Sequence, residues 1–277
     1  LNSAVYSTFQ DFVRNLRKSL AKEEITAPLF VLKADGGTMN MTTALARPVE
    51  TILSGPAASL QGINALLGTV KDALLLDIGG TTTDIFFLAD GVPLLEPLGI
   101  KLGAYKTLVR AIYSVSIGLG GDSSIKIENG KIKIGPQKEG EPCALGGPKP
   151  TPTDAMIALG LMQIGDRAKA LEAMQALGSH LGLAAERMAE EVLAAMAEML
   201  KNKVGELLQE INAKPVYTIK ELLYGKKIAP QLINVIGGPA QVMAPILAER
   251  FQLPCYYPEN YQVANAIGAA LAKTTTE

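Results

Sequence analysis

The spacing of apolar residues divides the chain into sheet-forming and helical regions. Apolar positions that recur three or four residues apart predict helices at 3–23, 54–67, 154–162, 166–177, 183–211, 241–251 and 262–273. Short apolar runs bounded by turn residues predict strands at 28–34, in two parts of 74–88, and at 232–236. Alternating isoleucines on both sides of Asn129-Gly130 predict a hairpin with a type I′ turn. The pattern therefore predicts an α/β protein with a long helical stretch in its second half.

The two apolar runs of the central hairpin are joined by Asp-Ile-Gly-Gly-Thr-Thr-Thr-Asp at 77–84. Gly79 and Gly80 carry no Cβ atom, so successive backbone N–H groups there are able to face a phosphate. The threonines add hydroxyl donors, and Asp77 and Asp84 suit a hydrated Mg²⁺ or a bound water, because a carboxylate repels phosphate itself. A plain tight turn is the alternative for a glycine pair alone, but the complete segment is more specific to phosphate binding.

Three further glycine-rich turns are candidates for ligand binding. Residues 35–38 fit either a substrate loop or a plain turn. The loop at 118–124 contains three glycines, Asp122 and two serines, and suits the reacting end of a nucleotide or its substrate; a turn leading into the next hairpin is the alternative. Residues 237–239 stand between a predicted strand and a predicted helix, where a flat base or a ribose can lie against the backbone.

Composition narrows the classes of protein that need be considered. The 277 residues carry 26 basic and 27 acidic side chains, and the net charge of −1 offers no basic surface for nucleic acid. No apolar run approaches the roughly 20 residues that span a bilayer, so we expect no membrane partner and a cytoplasmic location. Cys143 and Cys255 lie far apart, which favours reduced thiols over a disulfide framework. His180 is the only histidine, which argues against a histidine-rich zinc site or a Ser-His-Asp triad.

Six motifs follow one another along the chain, at 53–58, 77–84, 118–125, 152–155, 237–239 and 264–270. In this order they resemble the hydantoinase A / 5-oxoprolinase family, within the superfamily of actin, hexokinase and heat-shock chaperone ATPases. The resemblance implies an α/β fold of the actin-like ATPase (ribonuclease H-like) type, with a mixed β-sheet, flanking helices and a helical insertion. It also implies an ATPase lobe formed by residues 1–153 and 229–277, with the helical insertion at 154–228.

Two departures from the family pattern bear on function. Family members normally carry another Asp-X-Gly-Gly-Thr phosphate motif in an N-terminal domain, and this chain contains no second copy. We therefore expect one half of a two-lobed ATPase, whose phosphate-1 lobe is absent from this chain and comes from an N-terminal lobe or a second subunit. The loop at 118–124 is more often glycine-only before its serine in the family, so Asp122 indicates a different substrate or a lost activity.

The resemblance implies an ATP-dependent hydrolase component that activates a cyclic amide, a hydantoin or a 5-oxoproline-like ring, by phosphoryl transfer to its carbonyl oxygen. ATP and Mg²⁺ are the implied cofactors. The predicted catalytic residues are Asp77, Asp84 and Asp122, and Asp77 is also the predicted metal contact. The predicted nucleotide-binding residues are Gly79, Gly80, Thr81 and Thr82 for the β- and γ-phosphates, and Gly237, Gly238 and Pro239 for the adenosine. A small-molecule kinase of the same superfamily and a non-catalytic nucleotide-binding domain are the alternatives.

Overall fold

The structure is a computed structural model that describes residues 2–96, 99–102, 105–213 and 227–273. Residues 214–226, which fall within the predicted helical insertion, lie outside the described residues. The chain divides into two compact units. The first unit consists of Leu1–Leu66, Pro93–Tyr113 and Ala264–Glu277, and the second consists of Leu67–Val92 and Ser114–Val263.

Apart from a short helix at Met41–Ala46, which was not predicted, the helices of the described residues lie where the periodicity of the sequence predicts them. They are α1 Asn2–Lys22, α2 Met41–Ala46, α3 Ser54–Leu67, α4 Pro152–Ala158, α5 Arg167–Ser179, α6 Ala185–Ala213, α7 Ala240–Phe251 and α8 Ala264–Leu271. The predicted helix at 154–162 ends early, at Ala158. Gly160 adopts a φ of +71°, and the N–H of Leu161 donates to the carbonyl oxygen of Met156 (2.9 Å), which closes the helix with a glycine cap.

The strands of the described residues form one mixed sheet and several hairpins. They are β1 Phe30–Leu32, β2 Thr38–Asn40, β3 Ala73–Ile78, β4 Thr83–Ala89, β5 Val92–Pro93, β6 Leu95–Glu96, β7 Lys101–Leu102, β8 Tyr105–Lys106, β9 Ala111–Ile112, β10 Ser114–Ile117, β11 Ile125–Glu128, β12 Lys131–Ile134, β13 Leu232–Ile236 and β14 Cys255–Tyr256. The predicted hairpin around Asn129-Gly130 is confirmed as β11 and β12, and both turn residues have positive φ (51° and 70°).

The main sheet lies in the second unit and runs in the order β10-β4-β3-β13-β14. β4 is antiparallel to both of its neighbours β3 and β10, whereas β13 is parallel to β3 and β14 is parallel to β13. Helix α7 packs beside β13 and β14. This mixed sheet with flanking helices confirms the predicted fold class.

The centre of this sheet is covered on both faces. Leu74, Leu75 and Leu76 of β3 are all fully buried, as are Phe86 and Leu88 of β4. A strand that is buried on both faces needs a continuous apolar run, which is why this part of the sequence shows no alternation. In the same unit, α4, α5 and α6 pack against one another and α6 packs against α7.

A buried carboxylate fixes the start of α4. Asp154 is 0% exposed and accepts hydrogen bonds from the N–H groups of Cys143 (3.0 Å), Ala144 (2.7 Å) and Thr151 (2.9 Å). The hydroxyl of Thr151 donates to the same carboxylate, and the two residues form a capping box at the helix start. These bonds replace the hydrogen bonds to water that a carboxylate loses on burial. They also attach the glycine- and proline-rich segment at 135–151 to the helix that follows it.

In the first unit, α3 and α8 cross in close contact. A Cβ atom on Gly62 would lie 1.9 Å from the carbonyl oxygen of Ala264, and one on Gly268 would lie 2.0 Å from that of Ala58. Only glycine at both positions allows the two backbones this approach. The same unit has a small core in which Val13 of α1 belongs with buried residues of β2 and α2.

One edge of the main sheet is very short. β14 contains two residues, and Pro254 and Pro258 stand on either side of it in the sequence. The N–H of Ile233 donates to the carbonyl oxygen of Pro254 (2.8 Å), so the first proline takes part in the sheet as an acceptor. Neither proline has an N–H group to donate.

Candidate functional site

Two of the predicted glycine turns lie at one edge of the main sheet. β3 and β13 are neighbouring parallel strands that end at Ile78 and Ile236. The carboxyl ends of parallel strands lie at the same edge of a sheet, which is where open α/β sheets bind ligands. The turn at 79–82 and the turn at 237–239 therefore meet there.

The contact between these turns is close at Gly237. A Cβ atom at this position would lie 2.2 Å from the carbonyl oxygen of Ile78 and 2.9 Å from Oδ1 of Asp77, and the backbone φ is +92°. Its N–H donates to the carbonyl oxygen of Tyr261 (3.0 Å). Gly238 differs, because it is exposed and no atom lies within 4 Å of a Cβ built there. The first glycine thus permits packing against β3, and the second leaves open space.

Three polar residues, on neighbouring strands, lie in one row across the sheet close to this edge, and the row ends at an isoleucine of β13. Ser116, Asp84, Asp77 and Ile236 are successive partners on β10, β4, β3 and β13. Directly opposite antiparallel residues have Cβ atoms about 4.5–5.5 Å apart, so the two aspartate side chains share a face. Burial raises the pKa of Asp84, a hydrogen bond with Ser116 opposes this, and the charge of Asp77 raises the pKa further. A cation placed between the aspartates would relieve their repulsion.

The turn at 79–82 closes the hairpin between these two aspartates. The N–H of Gly79 donates to the carbonyl oxygen of Thr82 (2.9 Å). Thr81 and Thr82 are exposed, so their hydroxyls are accessible to a ligand. Thr83 is buried, and its hydroxyl donates to the carbonyl oxygen of Leu119 (2.5 Å). Two of the three predicted hydroxyl donors are therefore accessible, and the third holds the hairpin to the loop at 118–124.

The loop at 118–124 packs against the back of this turn. The N–H of Gly121 donates to the carbonyl oxygen of Gly79 (2.9 Å), and the N–H of Asp122 donates to that of Gly80 (2.6 Å). A Cβ atom on Gly120 would lie 2.5 Å from the carbonyl oxygen of Gly80. Contact with the turn therefore explains Gly120, whereas a Cβ atom on Gly118 would lie 2.6 Å from Pro136 and one on Gly121 would lie 2.8 Å from the hydroxyl of Thr153.

The carboxylate of Asp122 is engaged on both oxygens. Oδ2 accepts from Nζ of Lys138 (2.8 Å), and Oδ1 accepts from the hydroxyl of Thr153 (3.0 Å). The hydrogen bond with Asp122 raises the pKa of Lys138. A Cβ atom on Gly80 would lie 2.5 Å from Oδ2 of Asp122, so the carboxylate lies directly against the turn.

Sequence reasoning did not identify Lys138 or Thr153 as part of this site. Thr153 belongs to the motif at 152–155, which contributes to the family resemblance, but nothing in the sequence indicates its contact with Asp122. Lys138 lies in the glycine- and proline-rich segment, 16 residues from Asp122, and no periodicity relates the two. Asp35, in the first unit, accepts from the N–H of Gly37 (3.0 Å) in the turn that joins β1 and β2, which agrees with the plain-turn interpretation.

The residues at the sheet edge fit a magnesium-bound nucleotide. In the described ranges, no group of three or more His, Cys, Asp or Glu side chains is placed to hold a metal ion. Hydrated Mg²⁺ needs fewer ligands, because it keeps several waters and is bound through one or two carboxylates and the phosphates of the substrate. Asp77 and Asp84, beside a glycine turn with accessible hydroxyls, supply that set. Both cysteines are free, and burial raises the pKa of Cys255 to about 12, which disfavours the thiolate that a metal ion would need as a ligand.

Comparison with known proteins identifies the family. The sequence model for hydantoinase/oxoprolinase matches residues 1–277. The chain belongs to the hydantoinase/oxoprolinase family. Among curated relatives, an uncharacterised protein of Methanocaldococcus jannaschii is 24% identical over 302 residues, covering 98% of this chain and 42% of the relative. Caprolactamase subunit alpha of Pseudomonas jessenii is 28% identical over 192 residues, covering 62% of this chain and 27% of the relative.

Solved structures show that this family member shares its fold with two larger proteins. The nucleotide-free acetone carboxylase, from a study of ATP-dependent acetone carboxylation, has a TM-score of 0.74 at 20% identity, covering 92% of this chain and 37% of that chain. The ATP-dependent caprolactamase from Pseudomonas jessenii has a TM-score of 0.69 at 22% identity, covering 99% of this chain and 40% of the caprolactamase chain. The chain thus spans less than half of each of these relatives. Among its described helices, none combines the length and the apolar character needed to cross a membrane.

Proposed function

We propose that this chain is the nucleotide-binding part of an ATP-dependent hydrolase that activates a cyclic amide. The observation that carries the proposal is the meeting of the turns at 79–82 and 237–239 at one sheet edge, beside the facing carboxylates of Asp77 and Asp84. Membership of the hydantoinase/oxoprolinase family supports an amide substrate. The names of the relatives support it further, because one is an ATP-dependent caprolactamase, and a lactam is a cyclic amide.

Each part of the edge has a distinct proposed role. The backbone N–H groups of Gly80 and Thr81 and the hydroxyls of Thr81 and Thr82 bind the β- and γ-phosphates of ATP. Gly79 shapes this turn, because its own N–H donates to the carbonyl oxygen of Thr82. The open space at Gly238, beside the buried Pro239, receives the adenosine, and Gly237 allows that turn to approach β3.

The two aspartates are proposed to act beside the phosphates. Asp77 and Asp84 hold a hydrated Mg²⁺, which neutralises the charge that develops during phosphoryl transfer. Asp84 is also proposed to orient a water molecule. A cation beside Asp84 would favour its ionised form, because burial and, to a smaller extent, the charge of Asp77 raise its pKa.

The proposed reaction proceeds in three steps. The carbonyl oxygen of the cyclic amide forms a bond to the γ-phosphorus of ATP while the bond to the β,γ-bridging oxygen breaks, and ADP leaves with that electron pair. In the second step, water adds to the activated carbon and the ring C–N bond breaks, its electron pair going to the nitrogen, which takes up a proton and leaves an acyl phosphate. A second water then attacks the acyl carbon, and phosphate leaves with the former carbonyl oxygen, so that the carbon becomes a carboxylate. The products are ADP, phosphate and a ring-opened amino acid, and positioning supplies most of the catalysis.

The chain covers 42% and 27% of its two curated relatives, so we propose that the remaining parts of the enzyme come from an N-terminal lobe or a second subunit. That partner would contribute the phosphate-1 loop on the other side of the nucleotide.

The test uses the full-length protein that contains this chain and a panel of hydantoins and lactams labelled with ¹⁸O at the carbonyl oxygen. We expect ATP hydrolysis that depends on Mg²⁺, is stimulated by one substrate class, and releases ¹⁸O-labelled phosphate. A stable phosphorylated product in place of a ring-opened acid would indicate the small-molecule kinase. Absence of stimulation by every cyclic amide would refute the proposed substrate class.

A further inference from the structure

We propose that Asp122, Lys138 and Thr153 form a positioning network that holds the turn at 79–82 in its phosphate-binding conformation. The inference rests on the proposed nucleotide site and assigns Asp122 a role behind the turn, where it acts through the backbone of Gly80.

The first step of the argument is the orientation of two peptide planes. The carbonyl oxygens of Gly79 and Gly80 accept hydrogen bonds from the loop at 118–124. In a planar trans peptide, the C=O of one residue and the N–H of the next point in opposite directions. Fixing these two carbonyls toward the loop therefore directs the N–H groups of Gly80 and Thr81 away from it. Neither N–H has an acceptor among the described residues, so both are available to a ligand oxygen.

The second step is the attachment of the loop itself. Asp122 is held on one side by the ammonium group of Lys138 (2.8 Å) and on the other by the hydroxyl of Thr153 (3.0 Å). The N–H of Thr153 also donates to the carbonyl oxygen of Gly121 (2.7 Å). The ion pair is partly shielded, with 30% of the Lys138 side chain and 18% of the Asp122 side chain exposed. The network thus connects α4 and the segment near Lys138 to the residues that support the turn.

The third step concerns the fit between Asp122 and Gly80. A Cβ atom on Gly80 would approach Oδ2 of Asp122 to 2.5 Å, so no larger residue fits between the carboxylate and the turn. Both carboxylate oxygens already accept hydrogen bonds from the protein. These contacts favour positioning of the turn over contact between Asp122 and a substrate.

A competing explanation is that Lys138 binds the phosphates directly and that Asp122 only holds its ammonium group when no nucleotide is bound. The two explanations differ in the effect of Asp122→Ala. If Lys138 binds phosphate, removal of the carboxylate frees the ammonium group and leaves nucleotide affinity unchanged or improved. If the network positions the turn, removal of either partner weakens binding, and removal of both adds little, since the residues act as one unit.

The experiment measures the Kd for Mg²⁺-ADP by calorimetry in the full-length protein, together with the unfolding midpoint without nucleotide. Asp122→Ala, Lys138→Met and Thr153→Val are compared with two controls. Thr153→Ser keeps the hydroxyl. Lys126→Met removes another lysine from this part of the chain, one whose ion pair with Glu139 (3.6 Å) does not involve the loop at 118–124.

We expect each of the three variants to raise the Kd about tenfold, as the loss of one charge-assisted hydrogen bond would. The double variant of Asp122 and Lys138 should resemble the single variants, Lys138→Arg should restore most of the affinity, and both controls should stay within about twofold of the wild type. Failure of the wild-type protein to bind Mg²⁺-ADP would refute the proposed nucleotide site.

Three results would overturn the positioning network while leaving that site in place. The first is an unchanged affinity for Mg²⁺-ADP in all three variants. The second is unchanged or tighter binding by Asp122→Ala together with weaker binding by Lys138→Met. The third is a lowered unfolding midpoint in the variants whose affinity, measured well below that midpoint, is normal. The last result would assign the network to stability alone.

Discussion

Replacement of Gly237 by alanine tests the contact on which the two turns depend. The new Cβ atom would lie 2.2 Å from the carbonyl oxygen of Ile78, which belongs to the backbone of a central strand and cannot rotate away. The residue also has a φ of +92°, which alanine rarely adopts. We expect the substitution to separate the turn from β3 and to destabilise the protein.

Two contributions set the size of this effect. An unfavourable backbone conformation costs on the order of 1–3 kcal/mol. Overpacking of a well-packed position costs roughly 1–3 kcal/mol more. The expected loss is therefore about 2–6 kcal/mol, which is a large part of the roughly 5–15 kcal/mol that stabilises a typical folded domain.

Gly238 provides the matched control for Gly237. No atom lies within 4 Å of a Cβ built on Gly238, so Gly238→Ala should change the free energy of unfolding by less than about 0.5 kcal/mol. The same variant should weaken Mg²⁺-ADP binding, because its methyl group enters the space proposed for the adenosine. Urea unfolding gives the first quantity and calorimetry gives the second. Equal stability of the two variants would show that the close approach at Gly237 is absent, and normal affinity of Gly238→Ala would place the adenosine elsewhere.

Three other predictions concern stability. Gly62→Ala and Gly268→Ala should each lower the free energy of unfolding in urea by several kcal/mol, since backbone atoms occupy the space that the new Cβ atom needs. Gly205→Ala, on α6, places its Cβ atom in open space and should raise that free energy by about 0.5–1 kcal/mol. Asp84→Asn should raise the unfolding free energy at neutral pH by about 0.2–1 kcal/mol and abolish stabilisation by Mg²⁺-ADP. The native state binds the proton of Asp84 more tightly than the unfolded state does. Ionisation of this side chain therefore lowers the free energy of unfolding as the pH rises from 3.8 through the raised pKa, and the asparagine variant should lose this pH dependence. Asp154→Asn should cost about 2–4 kcal/mol by calorimetry, and an unchanged melting temperature would contradict its four hydrogen bonds.

The sequence predicted the parts of the fold that depend on local patterns. Periodicity located the described helices other than α2, whose six residues are too few to show a helical repeat. Asn129-Gly130 located a hairpin turn, because that signal is contained within a few neighbouring residues. The early end of α4 was missed, because the helical pattern continues past Gly160 while its backbone turns left-handed. The sheet order was not predicted, since the pairing of β13 with β3 joins segments about 160 residues apart and has no local signature.

The candidate site shows the same division. The glycine turns and the aspartates were predicted from the sequence, because each motif consists of a few neighbouring residues. Their meeting at one sheet edge, and the ion pair between Asp122 and Lys138, depend on tertiary packing. The contacts of Asp122 with Lys138 and Thr153 favour support of the turn over the catalytic role predicted for this residue.

The short strand β14 has a consequence for self-association. A sheet edge with a long row of unpaired N–H and C=O groups invites an extended chain from another molecule, and continued addition of this kind leads to aggregation. Here the edge offers two residues, and the prolines before and after them lack the N–H groups that a longer ladder would require. At this edge of a strongly apolar sheet, the short strand and its flanking prolines therefore disfavour the addition of a strand from another molecule.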